Sequence, residues 1–262
     1  MVLGVLGEFE PESLLGQAVR AVLKESQIQP LFANVSGPEV PGLVQEWSDQ
    51  GAFGALVLPP LRADAARVAE RFFSVRHSLG AANALRFTSS GVFGFNTESD
   101  GFWSQVADIA PSTALVLGAG PAARTACLTL LANGWKVKLW NRTLAKSRVF
   151  GAALASLGEV KFAHEADPSG CGLVVNATPL GARAGEHPPV IWTKAGPRTA
   201  AFDFVLRHVQ TEFLRAASLR GLQTIDGREC LCETLALAVE AATDSKVNRM
   251  AIRRALGISA DA

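Results

Sequence analysis

Apolar positions along the chain switch repeatedly between the two-residue period of a strand and the 3.6-residue period of a helix. Met1 to Leu6 reads as a strand, Glu12 to Glu25 as an amphipathic helix, Pro30 to Val35 as a strand and Val40 to Gln50 as a helix. Ala55 to Leu58 is a buried strand stopped by Pro59-Pro60, and a helix is predicted from Ala63 to Phe73. Ala84 to Phe87 and Val92 to Phe95 form a hairpin around Ser89-Ser90-Gly91, followed by a helix from Glu98 to Ala107. Pro111-Ser112 marks a boundary. Beyond it an apolar strand at Leu115 to Leu117 leads through glycines into a helix from Thr125 to Asn133, and Gly134 precedes an alternating strand from Trp135 to Trp140. Strands follow at Gly172 to Asn176, Thr199 to Phe204 and Gln223 to Ile225, with a proline-rich loop at His187-Pro188-Pro189. Helices are predicted at Thr211 to Arg220, Cys230 to Ala242 and Asn248 to Leu256. No repeat or low-complexity segment interrupts this order. Such alternation implies two α/β domains with largely parallel sheets, the second doubly wound.

The 262 residues, 48% hydrophobic and 19% charged, suffice to bury a large core in one large or two medium domains. A net charge of +1 argues against a general nucleic-acid or membrane-surface role. No apolar run reaches 18 residues and the N-terminus lacks a basic region before an apolar core, so the expectation is a cytoplasmic protein with no membrane partner. Cys127, Cys171, Cys230 and Cys232 are too few for a disulfide framework, and Cys230-Leu231-Cys232 lacks the spacing of a zinc site, so they read as core residues. His77, His164, His187 and His208 show no metal-ligand spacing and receive no role; no metal is expected.

Candidate chemistry concentrates at Gly118-Ala119-Gly120-Pro121-Ala122-Ala123, a Gly-x-Gly-x-x-Ala run between a strand and a helix. That context is what a dinucleotide fingerprint requires. Gly118 allows the turn, Gly120 lets backbone approach a pyrophosphate, and Ala123 lets helix pack on strand, leaving the helix N-terminus to hold phosphates. The next strand ends in Asn141-Arg142-Thr143-Leu144-Ala145-Lys146, where an NAD-specific fold usually carries an acid for the ribose 2′-hydroxyl. No acid is present; Arg142 and Lys146 offer cations and Thr143 a hydroxyl, which favours NADP. The alternative is that Arg142 and Lys146 are solvated charges opening a helix. Asn176 and Thr178, at a strand end before Pro179, are candidate lining residues of the nicotinamide arm or else a simple turn.

The order and spacing of Val-Leu-Gly-Ala-Gly-Pro-Ala-Ala-Arg (116 to 124), Trp-Asn-Arg-Thr (140 to 143), Val-Asn-Ala-Thr-Pro-Leu-Gly (175 to 181) and Phe-Asp-Phe-Val (202 to 205) resemble the shikimate dehydrogenase family. Leu-Gly-Ala-Ala-Asn (79 to 83), Gly-Phe-Asn-Thr (94 to 97) and Asp226-Gly227 extend the resemblance over nearly the whole chain. It implies an N-terminal α/β substrate domain over 1–104, completed by C-terminal helices over 229–262, and a doubly wound Rossmann NADP-binding domain over 105–228. It also implies reversible hydride transfer between NADPH and the ketone of 3-dehydroshikimate, a step of the chorismate pathway of aromatic amino acid biosynthesis. The cofactor contacts it implies are Gly118, Ala119, Gly120, Pro121, Ala122, Asn141, Arg142, Thr143, Lys146, Asn176, Thr178, Val205 and Gly227. On the substrate side it places Ser13, Asn83, Thr97 and Thr234, with Arg62 and Glu98 at the catalytic positions, in a monomer or homodimer.

The substrate side departs from the family pattern. Where the family holds a substrate carboxylate with two serines flanking a leucine, this chain reads Ser13-Leu14-Leu15. The family's Asn-x-Thr-x-Pro-x-Lys becomes Leu56-Val57-Leu58-Pro59-Pro60-Leu61-Arg62, and its Asn-Thr-Asp becomes Asn96-Thr97-Glu98. A tyrosine becomes Leu206, a glutamine becomes Thr234, and the chain has no tyrosine at all. Arginine stays protonated near neutral pH and cannot exchange a proton as a lysine can, so Arg62 is left to polarise a carbonyl. An Arg62 to Glu98 ion pair is a geometric replacement for a Lys to Asp pair; otherwise Arg62 is a solvated charge and Glu98 a helix N-terminal residue favoured by the macrodipole. Two functions follow: an NADP-dependent oxidoreductase of a small hydroxylated substrate with an altered pocket, or a non-catalytic NADP(H)-binding paralogue acting as sensor or partner subunit.

Overall fold

A computed structural model describes residues 1–72 and 80–258. Phe73, His77 and Leu79, named above from the sequence, lie outside these residues. The chain divides into two compact units, Met1–Gly101 with Leu231–Ala262, and Phe102–Cys230.

In the first unit the order is β1 (Val2–Leu6), α1 (Leu14–Glu25), β2 (Gln29–Ala33), α2 (Val40–Asp49), β3 (Gly54–Val57), α3 (Arg62–Val68), β4 (Arg71–Phe72), β5 (Ala84–Thr88) and β6 (Gly91–Phe95). The sheet runs β2-β1-β3-β5-β6-β4. β1 pairs in parallel with β2 and β3, whereas β5 is antiparallel to both β3 and β6. β5 is the one reversed strand, so the sheet remains largely parallel, as the sequence pattern implies. A two-residue connection at Ser89-Ser90, with Thr88 facing Gly91, can join only antiparallel neighbours, so β6 and its parallel partner β4 return to the direction of β3.

The helix expected from Ala63 to Phe73 is shorter than the pattern suggests. It stops at Val68, Ala69 turns extended, and Arg71–Phe72 pair with Phe93 and Gly94 as a sheet edge. Glu70 N–H donates to the Val92 carbonyl, so strand pairing takes over the backbone groups a further helical turn would have used. Leu6, Val44, Trp47, Val57, Leu61 and Leu85 centre the core between this sheet and its helices.

The C-terminal part of α8 (Gly227–Thr243) and α9 (Arg249–Ala255) belong to the same unit. α9 packs on α1, whose buried face comprises Leu14, Ala18, Val19, Val22 and Leu23. Asn248 caps α9 by accepting from Met250 N–H, and Arg249 reaches back to Glu233 and Glu240 of α8. The guanidinium lies at 2.9 Å from Glu233 and fastens one helix to the other.

Helix α4 (Glu98–Val106) runs across the divide into the second unit, which continues with β7 (Thr113–Leu117), α5 (Pro121–Ala132), β8 (Lys136–Trp140), α6 (Leu144–Leu154), β9 (Val160–Ala163), β10 (Cys171–Asn176), β11 (Ala200–Asp203), α7 (Glu212–Ser218) and β12 (Gln223–Asp226). All six strands are parallel in the order β12-β11-β10-β7-β8-β9. This is the doubly wound order, with its reversal point between β7 and β10. Near-continuous apolar strands such as Leu115-Val116-Leu117 and Leu173-Val174-Val175 are fully buried, as a sheet covered on both faces demands. Helix α5 begins at Pro121, one turn before the Thr125 expected, because Gly120 serves as N-cap and proline is favoured at the first helical position. The helix therefore starts inside the glycine run.

Candidate functional site

The second unit brings the fingerprint residues to the carboxyl edge of its sheet, where ligands bind in such folds. β7 ends at Leu117 and Gly118 takes φ +115°, a conformation that side chains disfavour; a Cβ there would also lie 2.7 Å from the Ala177 carbonyl oxygen beyond β10. Gly120 is different. A Cβ built on it meets nothing within 4 Å, so open space lies directly against the backbone at the start of α5. The leading N–H groups of that helix have no intrahelical acceptors. Ala119, Pro121 and Ala122 surround this cradle, and Ala123 is fully buried against the sheet.

At the end of β8, Trp140 accepts from Gly118 N–H at 2.8 Å, which ties the two strand ends together. Asn141 donates from its amide to the Thr143 carbonyl, and Thr143 is the N-cap of α6. Arg142, Thr143 and Lys146 are exposed, the first turn of α6 carries no acid, and neither Arg142 nor Lys146 forms an ion pair among the described residues.

Asn176 ends β10 with its side-chain capacity filled. Its amide donates at 2.9 Å to Asp203 and at 2.9 Å to the Leu180 carbonyl, while its oxygen accepts from Thr178 N–H and the Thr178 hydroxyl. The Thr178 hydroxyl accepts in turn from Leu180 N–H. These two residues, expected as cofactor lining, fix the loop after β10 rather than present free polar groups. Val205 N–H donates at 3.0 Å to Asp203, and a Cβ on Gly227 would lie 2.4 Å from the Asp203 carbonyl, so glycine permits the close backbone passage there.

Asp203 stands inside the Phe-Asp-Phe-Val motif, but the sequence pattern assigns it no role. It is fully buried at the end of β11 and accepts from Asn176, Val205 N–H and the Thr211 hydroxyl, the last at 2.6 Å. Thr211 simultaneously caps α7 by accepting from Leu214 N–H. Burial pushes the Asp203 carboxyl up to about 6, against the pull of its three donors. The local sequence signal is an acid inside the apolar run Ala-Ala-Phe-Asp-Phe.

In the first unit the substrate-side residues form a separate cluster. The Asn83 amide donates at 2.9 Å to the Thr97 hydroxyl and its oxygen accepts from Thr97 N–H at 2.9 Å; the Thr97 hydroxyl donates at 2.7 Å to the Thr234 carbonyl. All three residues are buried. Arg62, opening α3, places Nη1 3.0 Å from Glu98 Oε1 with the two side chains 23% and 22% exposed. The pair is thus sheltered but still reachable from solvent. Ser13 is not part of this cluster. It caps α1, accepting from Gly16 N–H at 3.0 Å and donating to the Glu10 carbonyl at 2.8 Å, and it lines a cavity of about 200 Å³ together with Glu8, Phe9, Glu10, Leu15, Leu58 and Pro59.

Among the described residues no group of three His, Cys, Asp or Glu side chains could hold a metal ion, and no helix is long and apolar enough to cross a membrane. The four cysteines are buried, and none of them is in a disulfide.

No family model matches the chain. A shikimate dehydrogenase (NADP(+)) of Caulobacter vibrioides is 33% identical over 193 residues, 68% of this chain and 66% of that protein, just under two thirds of its length. The same enzyme of Maricaulis maris is 29% identical over 239 residues, 88% of this chain and 85% of the relative. Among solved structures, the shikimate 5-dehydrogenase of Thermus thermophilus in complex with NADP(H) and shikimate superposes with a TM-score of 0.82 at 25% identity, covering 98% of both chains. A ligand-free 5-ketofructose reductase of Gluconobacter sp. strain CHM43 shares the fold with a TM-score of 0.87 at 20% identity, covering 98% of this chain and 97% of that one. The chain belongs to the shikimate dehydrogenase family, as a divergent member.

The buried carboxyl of Asp203 sets a pH dependence. Because its folded value lies above the ordinary aspartate value, it contributes stability at low pH that is lost as pH rises from about 4 through about 6. The loss amounts to about 3 kcal/mol for a shift of this size. Urea unfolding at pH 4.5 and pH 7 should show this component in the wild type and not in Asp203→Asn, which should also be less stable throughout because an amide turns one donor against the three that face it.

Proposed function

We propose that this member of the shikimate dehydrogenase family is an NADP-dependent oxidoreductase acting on a small hydroxylated substrate. The observation that carries the reading is the open cradle at Gly120, at the N-terminus of α5, in the same unit as a β8 end with exposed cations and no acid. Those residues fit NADP. The N–H groups of Ala122 and Ala123 would hold the pyrophosphate, Asn141, Arg142, Thr143 and Lys146 the 2′-phosphate, and Val205 and Gly227 the backbone surface beside the nicotinamide arm. When bound, NADPH supplies a hydride.

Arg62 and Glu98 do the work on the substrate. The guanidinium donates hydrogen bonds to the reacting carbonyl oxygen and stabilises the negative charge that develops there as the carbon is reduced. Glu98 holds the guanidinium in place at 3.0 Å and offsets its charge in the free protein. A guanidinium does not trade protons near neutral pH, so the proton that completes the alcohol comes from water. Asn83 and Thr97, bonded to each other and to the backbone of α8, fix the chain immediately before Glu98. Arginine at the lysine position also favours a second reading, a non-catalytic NADP(H)-binding paralogue, which differs in oxidising no NADPH with any ketone.

Three outcomes are expected. NADPH should bind well ahead of NADH in a fluorescence titration, and Arg142→Ala should narrow the gap by about tenfold or more, the usual cost of losing one charge-assisted contact. Equal affinity for the two cofactors would remove the assignment. Gly120→Val should fold, since a Cβ at this position meets nothing within 4 Å, yet lose cofactor binding. The double change Arg62→Lys with Glu98→Asp should raise the turnover rate for shikimate oxidation with NADP by about tenfold or more, because it restores a titratable amine; a slower double variant would show that the Arg62–Glu98 pair is a working replacement.

A further inference from the structure

We infer that the substrate is an uncharged polyhydroxy ketone or alcohol, not a carboxylate; the inference rests on the oxidoreductase reading above and names its substrate class. What carries it is the donor and acceptor inventory of the cavity that Glu8, Phe9, Glu10, Ser13, Leu15 and Leu58 line. A carboxylate ligand only accepts hydrogen bonds and therefore needs donors. The lining side chains supply none that is free. The Ser13 hydroxyl gives its proton to the Glu10 carbonyl and receives one from Gly16 N–H. Leu15 and Leu58 are apolar, at positions where the family pattern has hydroxyls. Among the described residues no lysine or arginine lines the cavity. Arg20, on the helix that Ser13 caps, donates to the Pro11 carbonyl and pairs with Glu12.

What the cavity does supply is acceptors. Glu8 and Glu10 are exposed at its wall, and a carboxylate accepts from hydroxyls readily. A vicinal diol presents two donors and an apolar C–H face. The second matches Phe9, whose ring is backed by Phe32 at 4.5 Å between centroids, and Leu15 and Leu58. A ligand carboxylate in the same place would meet two like charges, each weakening binding by roughly fivefold at contact distance in water-like surroundings. A polyol seated by its hydroxyls on the glutamates and by its C–H face on Phe9, Leu15 and Leu58 matches the lining group by group.

The test compares shikimate with its primary amide, which differ in charge at one group and keep the same ring and hydroxyls. Affinity is read by calorimetry on the full chain, and NADPH affinity is titrated separately. The amide should bind more tightly than shikimate by about tenfold or more, and Glu8→Gln with Glu10→Gln should shrink that preference severalfold. Both substitutions are at exposed positions, and far-ultraviolet circular dichroism confirms folding. Shikimate binding as tightly as the amide overturns the inference, as does a preference unchanged in the double variant, or binding of neither compound. The oxidoreductase reading fails on a different result, namely no NADPH binding or no NADPH oxidation with any polyhydroxy ketone.

Discussion

A carboxylate with no exposure to water must be surrounded by donors, and those donors must come from several elements at once. Asp203 meets this requirement by drawing on β10 through Asn176, on its own strand's exit through Val205 N–H and on α7 through Thr211. Because Asn176 is itself filled by Thr178 and Leu180, the constraint runs outward into the loop after β10. The Ala177 carbonyl of that loop occupies the place a Cβ on Gly118 would need. Thus the turn that opens the glycine cradle, the loop opposite it and the start of α7 are held by one buried charge and its partners. Hydrogen bonds to charged groups are among the stronger ones in a protein, and a partner left unpaired at such depth is costly.

The first unit solves a related problem without a buried charge. Asn83 and Thr97 satisfy each other and hand the remaining donor to the Thr234 carbonyl, so a neutral network does there what an ionised one does in the second unit. That leaves the Arg62–Glu98 ion pair of this cluster in partial contact with solvent. The C-terminal helices are part of this arrangement, since Thr234 sits on α8 and Arg249 clamps α9 to α8.

Local rules made much of this legible in the sequence. The order of strands and helices follows from apolar period, and the placement of Gly118 and Gly120 follows from backbone geometry that glycine alone tolerates. β9 escaped because Lys161 and Phe162 are both exposed, so an edge strand leaves no alternating pattern to read. β4 escaped because a helical period continues through Arg71–Phe72 while pairing with Phe93 and Gly94, distant in sequence, decides the outcome. Asp203 is the clearest instance of a nonlocal role: one partner lies 8 residues later and another 27 earlier. Ser13 shows a different limit. Serine at a helix start suits capping and ligand binding equally, and only the bonds to Glu10 and Gly16 show that its hydroxyl is engaged.

The saturation of Asn176 has a consequence for how this protein can change over time. A side chain with all four of its hydrogen bonds in place is one term of a joint solution, and neighbours bonded to it couple energetically instead of adding independently. Asn176, Thr178, Asp203 and Thr211 therefore form a block that drifts together or not at all. Any lineage descended from this chain should be free to rework the cavity at Glu8, Glu10 and Leu15, none of which belongs to that block, while inheriting the four as a set.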